Sequence, residues 1–287
     1  MKLKYLLITI LFIALTTKAF TNEFKEENMN SKTIVFIHGL FMNAKSWDSW
    51  KTYFEKKGYN CIVPEYPFHK GEPAELRNNI PEGLGNLTLT EVANFYTDII
   101  TKLDEKPMLI GHSIGGLIVQ ILVNRDLAAK GVSIDPAPPK GVFSFKWSFL
   151  KSNLATINPL KGSKACLPSV KWFQYAFCNT MTMEETEKIY DEFVVPESRN
   201  VPRESTKNAG KIDFKKAHVP LLIIAGEKDN IIPSSLNKKN AKKYKHTGSV
   251  VDFKEFKDRT HILCIQQEWE EMADYIDNWI KTDYNKK

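Results

Sequence analysis

A serine between two glycines is the first feature of this sequence that indicates chemistry. Ser113 lies at the centre of residues 111–115, G-H-S-I-G, which fit the pattern G-x-S-x-G. A strand-like apolar run at 108–110 precedes the motif and a helical pattern follows it, as expected for a serine on a sharp strand-to-helix turn. Such a turn has no space for side chains two residues before and after the serine, and both positions are glycine. Serine attacks well only when a base accepts its proton, so the chain must also supply a base.

Six histidines are candidates for that base, and their places along the chain separate them. His261 follows the last strand-like run and precedes the final helical pattern, so it returns to the sheet edge at which Ser113 lies. The other five stand beside a turn glycine, next to the serine with the side chain directed away, or in loop and helix-end contexts without a second signal: His38, His112, His69, His218 and His246. We therefore predict that His261 is the general base for Ser113.

A carboxylate must orient the base and stabilise its protonated form. Asp229 lies in the loop after the apolar run 221–225, at the carboxyl end of a predicted strand. Asp135 ends the preceding strand and reaches the same edge, although Asp135 and the proline after it also have the sequence of a turn. Glu227 is a weaker third option. We favour Asp229, which gives the chain order Ser, Asp, His, and keep Asp135 as the competitor.

Two backbone N–H groups are needed to stabilise the negative charge that develops on an oxygen during acyl transfer. Ile114, directly after the serine, supplies one of them. The loop after the first strand, residues 38–41 (H-G-L-F), supplies the other, and Leu40 is the best placed. Phe41 and Met42 are then expected to line the substrate mouth. No CxxC pair and no His/Cys cluster has the spacing of a metal site, so we expect no metal.

Alternating strand and helix patterns position these residues. Strand-like runs occur at 33–37, 59–63, 108–110, 131–134, 221–225 and 249–256, and helical patterns at 46–57, 90–103, 114–129, 234–245 and 265–280. Apolar strands that alternate with helices predict an α/β fold whose mostly parallel sheet is covered by helices on both faces. The alternation stops at 136–218, where prolines, aromatic residues and helical patches occur without a clear strand. We predict a core domain at 20–135 and 219–287, with 136–218 inserted between two strands as a helical cap.

The first nineteen residues indicate export. Lys2 and Lys4 precede an apolar run at 6–15, and residues 17–19 (T-K-A) offer small residues at the −3 and −1 positions of a cleavage site. That order is typical of a secretory signal peptide. The run is short for a membrane span of about 20 residues, and an uncleaved N-terminal anchor is the alternative. We expect a secreted or periplasmic mature protein without a stable membrane anchor.

The charge balance argues against a nucleic-acid partner. The chain has 40 Lys and Arg against 34 Asp and Glu, a net charge of +6, and loss of residues 1–19 with their three lysines reduces it to +3. A balance this mild is not typical of nucleic-acid binders. The densest basic stretch, 238–246, has the pattern of a solvated helix face.

Four cysteines are present, and their contexts differ. Cys166 and Cys178 are spaced so that a disulfide could close in an oxidising compartment, and their pairing stays open. Cys61 lies in a predicted buried strand, where a small apolar thiol is usual. Cys264 follows His261 closely and is expected to pack under the same site.

Together these motifs resemble the α/β-hydrolase superfamily over residues 33–280. The loop 38–41, the run 111–116, the loop 226–229 and His261 carry the resemblance, which says little about substrate. The chain is most similar to the capped branch of small esterases, lipases and cofactor-free haloperoxidases. Its oxyanion loop lacks the His-Gly-Gly-Gly run of some lipases. Its serine argues against the branches similar to haloalkane dehalogenases and epoxide hydrolases, which place Asp there.

The resemblance implies a serine hydrolase that cleaves a small apolar carboxylic ester through an acyl-serine intermediate, without a metal or organic cofactor. In that reaction Ser113 attacks, His261 moves the proton and Asp229 orients the histidine, while the N–H groups of Leu40 and Ile114 hold the oxyanion. Acyltransferase, lyase or perhydrolase chemistry on the same fold stays open, as does a non-catalytic small-molecule binder. The oligomeric state is not indicated.

Overall fold

A single parallel sheet positions the candidate residues. The computed structural model describes residues 31–246 and 248–284, so the predicted leader, 1–19, lies outside the described residues. Within them, six strands pair in the order β2-β1-β3-β4-β5-β6, every pair parallel. The strands are β1 (Thr33–Ile37), β2 (Asn60–Ile62), β3 (Met108–His112), β4 (Lys130–Ile134), β5 (Leu221–Gly226) and β6 (Val251–Phe256). The predicted parallel α/β sheet is confirmed.

The central strands are apolar because both of their faces are covered. Every residue of β1, β3, β4 and β5 is buried. Neighbouring residues of β1 point to opposite sides of the sheet: Ile34 and Phe36 join one apolar cluster, and Val35 and Ile37 join the other. The edge strand β6 is different, because it has the sequence V-D-F-K-E-F and is only partly buried. A strand with one neighbour tolerates charged side chains, which also discourage pairing with another chain.

Core helices pack on both faces of this sheet. They are α1 (Asp48–Lys56), α3 (Leu89–Ile100), α4 (Ile114–Asn124), α9 (Ser234–Ala241) and α10 (Trp269–Ile280), whereas the short helix α2 (Pro73–Asn78) packs against the helix Met183–Phe193. The buried residues of α3 and α4 belong to the cluster on one face, and those of α1 and α10 to the cluster on the other. The predicted α/β-hydrolase arrangement of helices around a sheet is therefore present.

The start of α3 differs from the sequence prediction, which began a helix at Thr90. The N-cap is Thr88, whose hydroxyl accepts the N–H of Glu91, while the Glu91 carboxylate accepts the Thr88 N–H and hydroxyl. This reciprocal capping box satisfies two N–H groups that the helix itself leaves free. The glutamate three residues after a threonine was the signal that identifies the true cap.

The segment between β4 and β5 contains the remaining helices. They are α5 (Trp147–Ile157), α6 (Val170–Phe177), α7 (Met183–Phe193) and α8 (Asn200–Glu204). Within the described residues this segment adds no strand to the sheet, only an isolated antiparallel bridge between Cys166 and Glu197. Because β4 and β5 are neighbours, the segment leaves from the carboxyl end of β4 and returns to the next strand. Residues 136–218 therefore contain the helices that the sequence predicted as a cap.

All four cysteines are buried and carry free thiols, so Cys166 and Cys178 are not paired. Cys166 lies in the bridge to Glu197, whereas Cys178 ends α6.

Among the described residues, no helix combines the length and the apolar character needed to cross a membrane.

Candidate active site

Ser113 occupies a strained turn between β3 and α4. Its backbone has φ 58° and ψ −119°, a left-handed conformation that residues other than glycine rarely adopt. A Cβ at Gly111 would lie 2.4 Å from the carbonyl oxygen of Gly115, and one at Gly115 would lie 2.2 Å from that of Ile37. These contacts explain why both flanking positions are glycine. The turn holds the serine at the carboxyl edge of the sheet.

His261 links Ser113 to Asp229. Its Nε2 lies 3.0 Å from Ser113 Oγ, and its Nδ1 lies 2.6 Å from Asp229 Oδ2. With Nδ1–H donating to the carboxylate, Nε2 is the unprotonated nitrogen that accepts the serine proton. The second carboxylate oxygen of Asp229 accepts the N–H groups of Ile231 and Ile232, both at 2.8 Å. The three side chains thus form a buried hydrogen-bonded chain with the geometry of a nucleophile, its base and an orienting acid.

Four neighbouring strands bring these three hydrogen-bonded residues, and Asp135, to one edge of the sheet. Ser113 follows β3, Asp135 follows β4, and the loops after β5 and β6 carry Asp229 and His261. Since β3, β4, β5 and β6 are consecutive in the parallel sheet, all four residues reach the same edge.

His112 holds the loop that carries His261. Its Nε2 lies 2.7 Å from the carbonyl oxygen of His261, and its ring packs 4.8 Å from the His261 ring. Burial, followed by the proximity of His261, lowers the pKa of His112 to about 3, so this histidine stays neutral. The ring of Phe177, which belongs to the cap, also packs against His261: the two rings are nearly perpendicular, and their centroids are 4.7 Å apart.

Asp135, the competing acid, lies behind Asp229 rather than on His261. It is fully buried, and its Oδ1 accepts the Gly226 N–H at 2.9 Å and the Asn237 amide at 3.2 Å. Burial, together with the nearby Asp229 charge, raises the pKa of Asp135 well above its ordinary value. Within the described residues Asp135 Oδ2 has no donor, which suits an oxygen that carries a proton of its own. A neutral Asp135 can donate that proton to Asp229.

Glu227, the third candidate for the acid that orients His261, forms its contacts elsewhere. Glu227 accepts the Asp258 N–H at 3.1 Å and pairs with Lys228 at 3.4 Å, so it faces away from His261.

One atom each of Asp135, Asp229 and His261 lies within 4.8 Å of the others, a donor set that could hold a metal ion. The Asp229 oxygens and Asp135 Oδ1 are already engaged by N–H donors, so hydrogen bonding alone accounts for the cluster.

Two residues with backbone N–H groups, Leu40 and Ile114, border the same space as the serine. Ile114 is the first residue of α4, where a helix leaves its N–H groups without internal partners and presents its positive end. The loop after β1 passes so close that a Cβ at Gly39 would lie 3.0 Å from Ser113 Cβ. Leu40 comes next and borders the same space as Ser113 and Ile114. Among the hydrogen bonds of the described residues, none uses the Leu40 N–H, which leaves it available to an oxyanion.

A cavity of about 380 Å³ opens on Ser113 and is mainly apolar. Its walls come from α5, from the segments before and after the cap helices, and from the loop after Asp229. The apolar walls include Phe143, Phe149, Leu150, Leu154, Ile157, Ile231 and Ile232. Arg203 and Lys207 are its charged residues, and no acidic residue of the described chain lines it. The cavity therefore suits an apolar group attached to a neutral or anionic remainder.

The structure does not bring Phe41 and Met42 to this cavity, which corrects their expected place at the substrate mouth. Phe41 has φ 64°, which turns the chain so that Leu40 rather than Phe41 faces the serine. The Phe41 ring packs edge-on against Trp172 and Phe177, and Met42 is 2% exposed. Both residues thus belong to the core and its contact with the cap. The apolar pair Ile231-Ile232, directly after Asp229, was the signal that could have found the actual lining.

A buried polar cluster joins the oxyanion loop to the cap. Glu197 Oε2 accepts the Tyr66 hydroxyl at 2.8 Å and lies 3.1 Å from His69 Nε2, and all three side chains are buried. His69 Nδ1 lies 3.0 Å from the carbonyl oxygen of Pro67, so both ring nitrogens face acceptors. The His38 ring stacks on Tyr66 at 3.9 Å. We refer to His38, Tyr66, His69 and Glu197 as the cap anchor. Sequence reasoning did not find it.

Comparisons with known proteins agree with this fold. The model of the "Alpha/beta hydrolase family" matches residues 34–275, and the chain belongs to that family. A search among curated protein sequences gave no match. Three similar solved structures are an extracellular α/β-hydrolase from a Paenibacillus species, a monoacylglycerol lipase from Paleococcus ferrophilus and a methylesterase from Arabidopsis.

The likeness to these structures lies in the fold. The Paenibacillus protein is 22% identical, with a TM-score of 0.65 over 86% of this chain and 98% of that one. The Paleococcus lipase is 20% identical, with a TM-score of 0.61 over 86% and 93%. The Arabidopsis methylesterase is 13% identical, with a TM-score of 0.60 over 86% and 98%. Hydrolases of ester type therefore recur on this fold, and the chain is a hydrolase by family.

Proposed function

We propose that this protein is an extracytoplasmic serine hydrolase that cleaves carboxylic esters through an acyl-serine intermediate. The observation that carries the proposal is the hydrogen-bonded chain Ser113–His261–Asp229, which ends in an apolar cavity. The lipase and esterase named among the similar structures support ester chemistry for this site. The leader-like residues 1–19 support export.

The first half of the proposed reaction forms the acyl-enzyme. Ser113 Oγ attacks the ester carbonyl carbon while His261 Nε2 takes the hydroxyl proton, and Asp229 stabilises the resulting imidazolium. The carbonyl oxygen becomes an oxyanion, which accepts the N–H groups of Leu40 and Ile114. Collapse of this intermediate breaks the bond to the alcohol oxygen, and His261 gives that oxygen the proton as it leaves.

The second half repeats the chemistry with water. His261 takes a proton from water, whose oxygen attacks the acyl carbon, and the bond to Ser113 Oγ breaks as the serine recovers its proton. The products are a carboxylic acid and an alcohol. Every group that moves a proton belongs to the chain, so the proposed reaction requires no metal or organic cofactor.

The cavity favours an ester with a medium acyl chain. Each methylene that moves from water into the apolar walls contributes about 0.8 kcal/mol. Two to four extra methylenes then contribute about 1.6–3.2 kcal/mol, which raises kcat/KM over that of acetate by about one to two orders of magnitude. We expect this rise along the nitrophenyl esters of acetate, butyrate, hexanoate and octanoate. A flat profile, or a preference for acetate, would remove the acyl-binding role of the cavity.

Two further measurements test the serine chemistry itself. A fluorophosphonate should label the protein rapidly, and the label should be lost in Ser113→Ala, with Ser133→Ala as the matched control, because Ser133 is a buried strand residue outside the cavity. Absence of labelling and of turnover for every ester would favour a small-molecule binder. Product analysis with methanol or hydrogen peroxide present distinguishes hydrolysis from acyl transfer and perhydrolysis: a dominant methyl ester or peracid would overturn hydrolysis as the main reaction.

A further inference from the structure

The first part of the cap has an unusual charge pattern. Residues 136–183 contain six lysines, at positions 140, 146, 151, 161, 164 and 171, and no Asp or Glu. Acidic residues make up 34 of the 287 positions, so their absence from 48 consecutive residues is a bias of this segment. All six lysines are exposed, and none forms an ion pair with a carboxylate of the described residues.

Large apolar side chains are exposed in the same segment. Nine such side chains are exposed among the described residues, and seven of them lie between 143 and 167. Phe145 is 87% exposed, Trp147 71%, Leu154 60% and Leu160 92%. An exposed apolar group of this kind, surrounded by polar residues, is typical of an interaction site. We call the exposed side chains of residues 140–167 the front surface.

The front surface is continuous with the mouth of the cavity. Phe143, Leu154 and Ile157 are exposed on the outside and also line the cavity that reaches Ser113. Beyond α5, Leu160 borders a shallow depression together with Lys161, Lys164 and Arg199. Apolar side chains at the entrance, with cations around them, thus surround the path to the serine.

We propose that the front surface binds to an anionic lipid surface and sets the cavity mouth against it. Lipid fits both observations at once: Phe145, Trp147 and Leu160 can enter the boundary of headgroups and acyl chains, while the lysines remain at the anionic headgroups. A second copy of the chain fits poorly, because a two-fold contact would place the same lysines opposite one another. The contact is peripheral and reversible, and it does not depend on the proposed reaction.

The expected strength follows from the lysines. Each lysine near an anionic membrane surface contributes about fivefold to the binding constant, an effect that falls with added salt. Reversal of two of them to glutamate therefore weakens binding by about 25-fold or more. Replacement of Phe145 and Trp147 by serine should weaken binding to a similar degree, because both aromatic rings are then no longer buried in lipid.

The test is sedimentation of the chain without residues 1–19, which precede every described element, with vesicles of phosphatidylcholine alone or mixed equally with phosphatidylglycerol. Binding to the mixed vesicles, weakened by NaCl, is expected. Lys161→Glu/Lys164→Glu and Phe145→Ser/Trp147→Ser should lose it. Lys242→Glu/Lys243→Glu, the same charge change at the exposed end of α9, should keep it. A blue shift of tryptophan emission on binding should disappear in Trp147→Phe.

Three results would overturn the proposal: no binding to either vesicle, equal losses in the Lys242/Lys243 control, or self-association in solution that the Phe145/Trp147 change abolishes. The last result would assign the front surface to a second copy. Hydrolysis of soluble nitrophenyl esters is measured on the same variants, none of which alters a residue of the cavity. Loss of vesicle binding with unchanged hydrolysis is expected, whereas binding without any hydrolysis would refute only the proposed function.

Discussion

Replacement of Asp135 by asparagine tests whether a neutral carboxylic acid supports the candidate site. The fully buried Asp135 accepts two N–H groups at Oδ1, while Oδ2 has no donor within the described part of the chain. Asparagine has the same shape, and its amide can donate to Asp229 as a protonated carboxyl does. Asp135→Asn should therefore preserve every contact and remove only the need for a proton.

The magnitude follows from proton linkage. Burial and Asp229 raise the pKa of Asp135 in the folded protein, whereas the unfolded chain loses this proton near the ordinary value of 3.8. Above that pH the folded state holds a proton that the unfolded state has released, so folding becomes less favourable as pH rises. The free energy of unfolding falls by about 1.4 kcal/mol per pH unit until pH reaches the folded pKa. The asparagine variant lacks this proton and this dependence.

Urea unfolding of both proteins at about pH 5, 6 and 7 measures the difference directly. Relative to Asp135→Asn, the wild type should lose stability as pH rises towards the folded pKa of Asp135, with a slope of at most about 1.4 kcal/mol per pH unit, because the contributions of all other groups cancel in the comparison. A difference independent of pH would refute the reasoning, since it would mean that Asp135 is ionised in the folded protein. Asp135→Ala is the matched control: it also lacks the proton but leaves Asp229 without that donor.

The remaining predictions concern the acid, the turn and the leader. Asp229→Asn should lower kcat by about 10⁴, and Asp135→Asn by less than tenfold; the reverse ranking would make Asp135 the acid that orients the base. Gly115→Ala should destabilise the protein by several kcal/mol in urea unfolding, because its Cβ would lie 2.2 Å from a carbonyl oxygen, whereas Gly58→Ala, with nothing within 4 Å, should cost about 1–2 kcal/mol; equal effects would contradict this. Mass spectrometry of protein from the native host should find an N-terminus near Phe20, and an intact initiator methionine would contradict export.

Residues with strong local constraints could be predicted from the sequence. Ser113 needs a sharp turn, the turn needs glycines, and apolar strands that alternate with helices can form only a parallel sheet covered on both faces. Asp229 and His261 were found because loops after parallel strands meet at one edge. These inferences use short stretches of chain and one topological rule.

The remaining features depend on contacts between distant parts of the chain. Tyr66 and Glu197 are 131 residues apart, and nothing near either residue indicates that they share a hydrogen bond. The place of Phe41 depends on a positive φ that a phenylalanine rarely adopts, so its sequence gave no sign of the turn away from the serine. Asp135 was weighed as a partner of His261 or as part of a turn, because its proximity to a second carboxylate appears only once the strands are side by side.

The cap anchor has a consequence for exchanging caps between members of this family. The cap is one continuous insertion, so a graft would replace it without altering the chain positions of Ser113, Asp229 or His261. A graft without an equivalent of Glu197 would leave the buried His69 Nε2 unpaired and the buried Tyr66 hydroxyl with only a 3.5 Å contact to the Gly39 carbonyl, beneath the loop that carries Leu40. Burying such unpaired groups costs several kcal/mol, and the cost falls next to the oxyanion N–H. New specificity on this scaffold therefore requires that the donor cap bring its own carboxylate, or that Tyr66 and His69 be changed with it.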